Sequence, residues 1–512
     1  MLSDSPFDPF ISATELLGKL HSRELTCVQA LQVYLSRVDR LQSEVSRREG
    51  RSFPVVIFLD RDGALQRAKA ADEALERGEL WGPLHGLPMT VKEELNVKGW
   101  PTTKGKKEFE NCPVAQESCL AVQRLLNSGA VIFGKTNVPP GCLDWQTHNS
   151  LYGGALRNPF DTSRSVGGSS GGTAFAVACA LTSIDVGGDT AGSIRIPASF
   201  CGVFGLQSTY GRIPNRHWSS QGPPPSPGHP AWPRKEGHPF ICLGPIARKS
   251  EDLSLLLGVL EGADGPLTPY TAPNDAVGED PLGRETASLG DFRVSIWKSE
   301  KQPVSTAIEN ALKITQQTLH AAGVSVLTQF PAFDPEESFD VYRALVLRKA
   351  TGPDAEEEAQ RARGDLVKKW EEFFKATADV LVMPVTISEA FVAVKDDDDS
   401  FNALTPGAEV GACIREDTGP ADGPVEALTE YARHYFYPHF SIISFLPSVA
   451  VPLGLAPLCS GISSKPLPVG LQVIAPTGRD RRAIRFAELL ASAVLGEGRL
   501  FAPPLIPKRS GA

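Results

Sequence analysis

Residues 167–197 hold the feature that most limits how this chain can fold: two glycine-rich turns separated by a fully apolar segment. The first turn reads GGSSGG and ends at Gly172, and the second reads GGDTAGS and ends at Ser193. Between them, the stretch 173–181, TAFAVACAL, is apolar on every side, so a helix formed there must be buried. A helix covered on all sides needs further layers of structure around it, which predicts a large core.

The rest of the chain alternates between helical and β-strand patterns. Capping boxes at Ser12 and Thr26 predict the starts of two helices, and Ser118 predicts the cap of another. Short β-branched and apolar runs follow several of these helices, and this alternation predicts an α/β fold. The predicted helices cover 24–41, 63–78, 173–181, 306–322 and 480–494, and the predicted strands cover 131–133, 183–186, 294–297, 324–328, 380–383 and 449–453.

Composition and charge exclude several classes of protein. The chain has 512 residues, of which 41% are hydrophobic and 22% are charged, so it can bury a real core and is not disordered. The net charge of −9 argues against a nucleic-acid-binding surface. The N-terminus lacks the pattern of a signal peptide, and no stretch approaches about 18–20 uninterrupted apolar residues, so no membrane anchor is predicted.

The nine cysteines form no CxxC pair and lie near no histidine at metal-ligand spacing. We interpret them as reduced, mostly buried thiols of a cytoplasmic protein, and we predict no metal site. Cys179, Cys201 and Cys242 lie in apolar surroundings, which raise the pKa of a thiol and argue against a catalytic cysteine.

Two stretches are predicted to be irregular. Residues 223–239 contain seven prolines, which predicts a proline-rich surface loop over about 214–239. Residues 396–399 are four consecutive aspartates. A calcium site is conceivable there, but the spacing and the glycine of an EF-hand are missing, so a solvated loop is favoured.

The serines of the two glycine-rich turns are the candidates for chemistry. Glycines before a serine let backbone N–H groups converge on one point, as in an oxyanion hole. A phosphate-binding loop is disfavoured because the lysine of its motif is missing. An α/β-hydrolase elbow would use Ser170 with His434 or His439, but the preceding NPFDTSRSV is not a hydrophobic strand. The third interpretation is a serine hydrolase whose base is not histidine.

Several further motifs accompany this block. They are GPLHGLPMTVK at 82–92, GKTN at 134–137, NP at 158–159, GL at 205–206, YGR at 210–212, GPIAR at 244–248 and PVGLQ at 468–472. Together with the 24 positions between Ser169 and Ser193, they make the chain resemble the amidase signature family. The likeness is strong over about 12–260, with a signature core at about 80–215, and looser over 370–495. It implies one large α/β domain spanning 1–512, with a central mixed β-sheet flanked by many helices.

The resemblance implies a Ser–cisSer–Lys triad. Ser193 would be the nucleophile, Ser169 the bridging serine after a cis peptide bond, and Lys92 the base. An apolar strand would deliver Lys92 into the interior, where burial disfavours the ammonium form and leaves an amine that can accept a proton. A close carboxylate would oppose this effect, so we expect the side chains of Glu93 and Glu94 to point away from Lys92.

The resemblance also implies an oxyanion hole in the second turn. Its donors would be four consecutive backbone N–H groups, those of Thr190, Ala191, Gly192 and Ser193. Ala191 departs from the glycine that many family members have, but alanine keeps the N–H, so the hole survives if the φ of Ala191 is negative. Asp189 and Arg195 are interpreted as a pair that holds the turn in shape, and Ser170 as a hydroxyl that binds within its own loop.

The implied reaction is hydrolysis of a small-molecule carboxylic amide through an acyl-enzyme, without a metal or organic cofactor. An alternative within the family is the A-type polypeptide of glutamyl-tRNA amidotransferase, which releases ammonia from glutamine for a partner. Residues 351–370 do not resemble its glutamine-recognition region.

The related membrane-bound fatty-acid amide hydrolase has an N-terminal transmembrane helix that this sequence lacks. A catalytically dead scaffold is disfavoured because all three triad positions are filled, and the sequence leaves a homodimer open.

Substrate specificity is expected to come from loops near the site, namely 145–148, 214–239 and 431–439. Their aromatic residues fit an aryl or bulky apolar substrate group, and they fit simple packing equally well. These residues are Trp145, Trp218, Trp232, Tyr435, Phe436 and Tyr437.

Overall fold

The computed structural model describes residues 5–215, 240–262, 280–346, 353–391, 393, 433–456, 465–496 and 503–505. Most of the predicted proline-rich loop lies outside these residues, as do the aspartate run 396–399, Trp218 and Trp232. Within the described ranges, no helix combines the length and the apolar character that a membrane crossing requires.

The fold is built around a mixed sheet of eight strands. With two smaller sheets, the described residues form thirteen strands in all, which are β1 (Val56–Leu59), β2 (Pro88–Lys92), β3 (Val131–Thr136), β4 (His148–Asn149), β5 (Gly154–Ala155), β6 (Ile184–Asp189), β7 (Phe204–Gln207), β8 (Cys242–Ala247), β9 (Val294–Ile296), β10 (Val326–Leu327), β11 (Val380–Pro384), β12 (Ser448–Ala456) and β13 (Leu467–Ile474). The large sheet has the order β10-β9-β11-β13-β12-β7-β8-β6. Strands β10, β9 and β11 run parallel, and the remaining neighbours are antiparallel.

Two small sheets complete the β structure. In the first, β3 pairs with β1 in antiparallel fashion and with β2 in parallel fashion, and β2 lies beside the edge strand β6 of the large sheet. In the second, β4 pairs with β5. The contact between β2 and β6 brings Lys92, at the end of β2, close to the turn that follows β6 and carries Ser193.

Helices surround the sheets. They are α1 (Ala13–His21), α2 (Cys27–Arg40), α3 (Ser46–Glu49), α4 (Arg61–Glu76), α5 (Leu120–Asn127), α6 (Gly171–Ala178), α7 (Arg195–Cys201), α8 (Ser250–Leu260), α9 (Thr306–Ala321), α10 (Pro335–Leu345), α11 (Pro353–Ala376), α12 (Phe436–Ser444) and α13 (Asp480–Leu495). The predicted α/β class with a central mixed sheet and many helices is therefore confirmed.

The large sheet separates two apolar cores, because successive side chains of a strand point to opposite faces. In β11, Val380 and Val382 belong to one core, whereas Leu381 and Met383 belong to the other. The second core also holds α6, all of whose residues are buried, as the apolar segment between the two glycine-rich turns predicts.

The helix starts follow the predicted caps in two cases and depart from the prediction in the third. Thr26 and Gln29 form a complete capping box at α2, and Ser12 accepts the N–H of Glu15 at α1. The prediction that Ser118 caps α5 was wrong, because Cys119 occupies that position. The Ser118 hydroxyl instead accepts the N–H of Lys98 at 2.9 Å.

Candidate active site

Strand β2 carries Lys92 into the interior. All five of its residues are buried, and Lys92 itself is 1% exposed. A strand paired on one side with β3 and flanked on the other by β6 is expected to be a short apolar run, as PMTVK is. Lys92 is the last residue of this run, so its amine lies at the junction of the two sheets.

Ser169 is the partner of Lys92. The amine Nζ donates to Ser169 Oγ at 2.8 Å and to the carbonyl oxygen of Gly188 at 3.3 Å. The peptide bond between Gly168 and Ser169 is cis, which confirms the prediction. Gly167 has φ +84°, and a Cβ there would lie 2.8 Å from Pro197 Cα, so only glycine fits this turn.

Ser193 lies on the second turn, immediately before α7. The N–H of Ser170 donates to the carbonyl oxygen of Ser193 at 3.0 Å, and this bond ties the two turns together. Ser193 is 8% exposed, whereas Ser169 is 1% exposed. Ser193 therefore lies nearer the solvent than Ser169 and Lys92, which are each 1% exposed.

The second turn is shaped by Asp189 and Arg195, as predicted. Arg195 Nε and Nη2 donate to the two oxygens of Asp189 at 3.0 and 3.1 Å, and both side chains are fully buried. The same carboxylate accepts the N–H of Gly192 at 2.7 Å and that of Ile194 at 3.1 Å. Arg195 also donates to Ser441 and thereby connects the turn to α12.

The Asp189 contacts also bear on the predicted oxyanion donors. The Gly192 N–H is directed at Asp189, and Gly192 adopts φ +94°. Ala191 does not lie in the left-handed region, so the alanine is accommodated without strain. The backbone N–H groups of Thr190, Ala191 and Ser193 thus remain the candidates for binding an oxyanion.

The expectation for the two glutamates was right for Glu93 and wrong for Glu94. The Glu93 carboxylate accepts the N–H groups of Thr103 and Lys104, away from the lysine. Glu94 Oε1 instead lies 2.8 Å from Lys92 Nζ, and both side chains are 1% exposed. The chain turns back at this point, since the N–H of Leu95 donates to the carbonyl of Lys92 at 3.0 Å, and this reversal brings Glu94 over the amine.

Asp185 is a buried acid that sequence analysis missed. Its carboxylate accepts hydroxyl hydrogen bonds from Thr90 at 2.7 Å and from Thr136 at 3.2 Å. Burial raises the pKa of Asp185 to about 7, although these hydrogen bonds and the charge of Lys92 counteract part of the rise. A lone aspartate inside the apolar run from Ile184 to Val186 was the signal that could have found it.

The α/β-hydrolase alternative is not supported by the geometry. Ser170 is fully buried at the start of α6, and within the described part of the chain its hydroxyl has no hydrogen-bond partner. His434 pairs with Thr386 at 2.7 Å, and His439 pairs with Ser338 at 2.6 Å. The interpretation of the Ser170 hydroxyl as a loop hydrogen-bonding group is therefore also wrong.

The aromatic residues named from the sequence are packed rather than open to a ligand. Trp145 and Tyr435 are 1% and 4% exposed, and their ring centroids lie 3.6 Å apart. Phe436 and Tyr437 are fully buried. Trp145 nevertheless adjoins the first glycine-rich turn, because a Cβ at Gly168 would lie 3.0 Å from its Cα.

The described cysteines are free thiols, and burial is the main cause that raises the pKa of Cys179, Cys201 and Cys242. This agrees with the prediction that none of the three is a nucleophile, since the thiolate is the reactive form.

Known proteins share this combination of fold and motifs. The family model described as Amidase matches residues 47–355. The glutamyl-tRNA(Gln) amidotransferase A chain of Chlorobium phaeobacteroides is 40% identical over 255 residues, which are 50% of this chain and 48% of the relative. The match thus spans about half the length of that relative. The protein of the same name from Deinococcus radiodurans is 29% identical over 94% of this chain and 97% of its own.

A solved structure of a fatty acid amide hydrolase shares the fold. It superposes with a TM-score of 0.72 at 20% identity and covers 95% of this chain and 85% of its own. At this identity the likeness concerns the fold alone. The family model, in contrast, covers more than half of the chain and includes Lys92, Ser169 and Ser193. The chain therefore belongs to the amidase family.

Proposed function

We propose that this protein hydrolyses the C–N bond of a carboxylic amide through an acyl-enzyme on Ser193. The observation that carries the proposal is the hydrogen bond of 2.8 Å between Lys92 Nζ and Ser169 Oγ, both almost completely buried. The backbone bond between Ser170 and Ser193 supports it, because it ties the turn of Ser193 to the turn of Ser169. A hydroxyl linked to a buried amine is the arrangement that activates a serine nucleophile without histidine.

The reaction proceeds by a proton relay. As Ser193 Oγ attacks the carbonyl carbon, its proton passes to Ser169 Oγ, and the proton of Ser169 passes to Lys92 Nζ. The proton then returns through Ser169 to the leaving nitrogen as the C–N bond breaks. Water attacks the resulting ester with the same relay, which releases the carboxylic acid and restores Ser193. The relay itself needs no metal ion or organic cofactor.

The oxyanion of each tetrahedral intermediate would be bound by the backbone N–H groups of Thr190, Ala191 and Ser193. Asp189 and Arg195 support this role, because their contacts fix the turn before the substrate arrives. Preorganised donors avoid reorganisation at the moment of reaction, and losing one typically costs about 3–4 kcal/mol of transition-state stabilisation. We place the reaction in the cytoplasm, where the free thiols of the described cysteines stay reduced.

Variants of the purified chain test this proposal on a panel of aliphatic amides, aryl amides and esters. Ser193→Ala and Lys92→Ala should each abolish turnover of every substrate that the wild type cleaves. Cys201→Ala, which removes a buried thiol at the end of α7 that takes no part in the relay, should keep it. Amidase activity that survives in Ser193→Ala would show that the nucleophile is a different residue.

A second candidate function is that of the A-type polypeptide of an amidotransferase, which the names of the relatives from Chlorobium and Deinococcus favour. Such a polypeptide would use the same relay on the side-chain amide of glutamine and deliver ammonia to a partner. Ammonia release from glutamine, measured beside the amide panel, separates the two functions. A chain that cleaves simple amides without a partner supports the hydrolase. A chain that is inert on its own but releases ammonia once a partner protein is added supports the amidotransferase.

A further inference from the structure

Glu94 forms a buried ion pair with Lys92 but has no role in the relay described above. Glu94 Oε1 and Lys92 Nζ lie 2.8 Å apart, and both side chains are 1% exposed. The same amine donates to Ser169 Oγ at 2.8 Å, and Ser169 links it to Ser193 in the proposed relay. The Lys92 amine thus contacts both the Ser169 hydroxyl, which gives it a proton in the relay, and the Glu94 carboxylate, which stabilises the ammonium ion that forms.

Gly188 provides the space for this arrangement. Its carbonyl oxygen accepts a hydrogen bond from Lys92 Nζ at 3.3 Å. A Cβ at Gly188 would lie 2.6 Å from Glu94 Oε1, closer than two such atoms can approach. The carboxylate therefore occupies the space that any other residue at position 188 would need, and it lies against β6 rather than in solvent.

The other charged and titratable groups around Lys92 are engaged elsewhere or interact with it more weakly. On β3, Lys135 donates to the carbonyls of Glu93 and Pro101. On α2, Arg37 donates to the carbonyls of Cys179 and Ala180, and α6 carries no titratable side chain. Among the described residues, Glu94 contacts the amine, Asp185 on β6 and the Cys142 thiol interact with Lys92 electrostatically, and Asp189 is already paired to Arg195.

We propose that Glu94 is a positioning residue of the proton relay, which aims the Lys92 amine at Ser169 and stabilises the ammonium form that appears when Ser169 gives up its proton. The inference rests on the proposed function of the site. An opposite charge in contact favours the protonated amine. In the relay, the carboxylate offsets the charge that the serine proton brings to Lys92 Nζ, 2.8 Å away. Removal of the Glu94 charge should therefore favour the neutral amine and slow the transfer of the serine proton to it.

The test is the pH profile of kcat/KM and the plateau kcat of Glu94→Gln, measured on an amide that the wild type cleaves. Glutamine keeps the volume and removes the charge. In Glu94→Gln the acid limb of the kcat/KM profile should move to lower pH by about 1–3 pH units. The plateau kcat should fall roughly tenfold because Lys92 becomes a weaker base without the Glu94 charge. Asp252→Asn is the matched control, because this buried carboxylate binds the backbone N–H groups of Ala13 and Thr14 instead of Lys92. Its acid limb should stay in place.

A second variant guards against misfolding of the first. Gly188→Ala places a methyl group where the Glu94 carboxylate lies, so it should move the acid limb in the same direction. An acid limb that stays at the wild-type pH in the folded variants would overturn the role of Glu94, even if activity falls evenly at all pH values. The proposed function is judged separately by Ser193→Ala. If Ser193→Ala is inactive and the acid limbs of Glu94→Gln and Gly188→Ala do not move, only the role of Glu94 is refuted.

Discussion

Arg195 holds Asp189 through two parallel hydrogen bonds, from Nε to Oδ2 at 3.0 Å and from Nη2 to Oδ1 at 3.1 Å. Burial by itself would raise the pKa of Asp189, but the charge and hydrogen bonds of Arg195 outweigh burial and lower it. The carboxylate therefore stays charged and accepts the N–H groups of Gly192 and Ile194 on either side of Ser193. A buried ion pair thus sets the shape of the turn that carries Ser193, the proposed nucleophile.

Breaking this pair should destabilise the whole protein. Arg195→Leu leaves Asp189 buried without its partner, and we expect the free energy of unfolding to fall by about 3–5 kcal/mol. The double variant Asp189→Asn/Arg195→Leu should recover part of the loss, because no uncompensated charge remains. Urea unfolding of the two variants and the wild type measures both effects. Equal stability of Arg195→Leu and the wild type would contradict the structural role of the pair.

Adding a methyl group at Gly192 should impair stability and kcat, whereas removing the methyl group of Ala191 should be tolerated. Gly192 has φ +94°, and a Cβ there would lie 2.8 Å from Ile196 and 2.9 Å from Pro438. Gly192→Ala should therefore lower the free energy of unfolding by about 1–3 kcal/mol and reduce kcat by displacing the turn. Ala191→Gly keeps the N–H and should leave kcat within severalfold of the wild type. Comparable kcat values for the two variants would show that the turn tolerates distortion.

The sequence predicts the parts of the site that local patterns determine. The apolar segment between the two turns predicts the buried helix α6, and the acidic and basic residues of the second turn predict the pair of Asp189 and Arg195. The position of Glu94 depends instead on how the chain reverses after Lys92, because two carboxylates in a row give no pattern that says which one turns inward. The reversal is set by the backbone bond from Leu95 to Lys92 and by the space at Gly188.

Long-range packing explains the other departures from the predictions. Ser118 does not cap α5 because its hydroxyl binds Lys98, 20 residues earlier in the chain. Asp185 has a raised pKa because it is buried between strands, where Thr90 and Thr136 enclose it together with apolar neighbours. The partners of Ser118 and of Asp185 cannot be assigned from a short window of sequence, since each contact joins segments at least 20 residues apart.

Ser169 and Ser170 are adjacent, but only the first should be essential for the relay. Lys92 Nζ contacts Ser169 Oγ, whereas Ser170 binds the Ser193 carbonyl through its N–H, which alanine keeps. Ser169→Ala should lower kcat by about 10²–10⁴-fold, the usual contribution of proton transfer by a positioned group. The loss in Ser170→Ala should be at least tenfold smaller. Initial rates on one amide substrate measure both, and equal losses would assign a direct role to the Ser170 hydroxyl.

Asp185 should make the protein less stable as the pH rises from about 4 to about 7. Its pKa is about 7 in the folded state because burial disfavours the carboxylate, whereas the ordinary value is 3.8. Between these values the folded protein holds a proton that the unfolded chain has lost, so the free energy of unfolding declines by up to about 4 kcal/mol as the pH increases and then levels off. Asp185→Asn removes this decline and keeps groups that can bind Thr90 and Val186. Urea unfolding from pH 4 to pH 8 should therefore show the variant gaining stability relative to the wild type toward high pH. Parallel stability curves for the two proteins would mean that Asp185 stays ionised in the folded state.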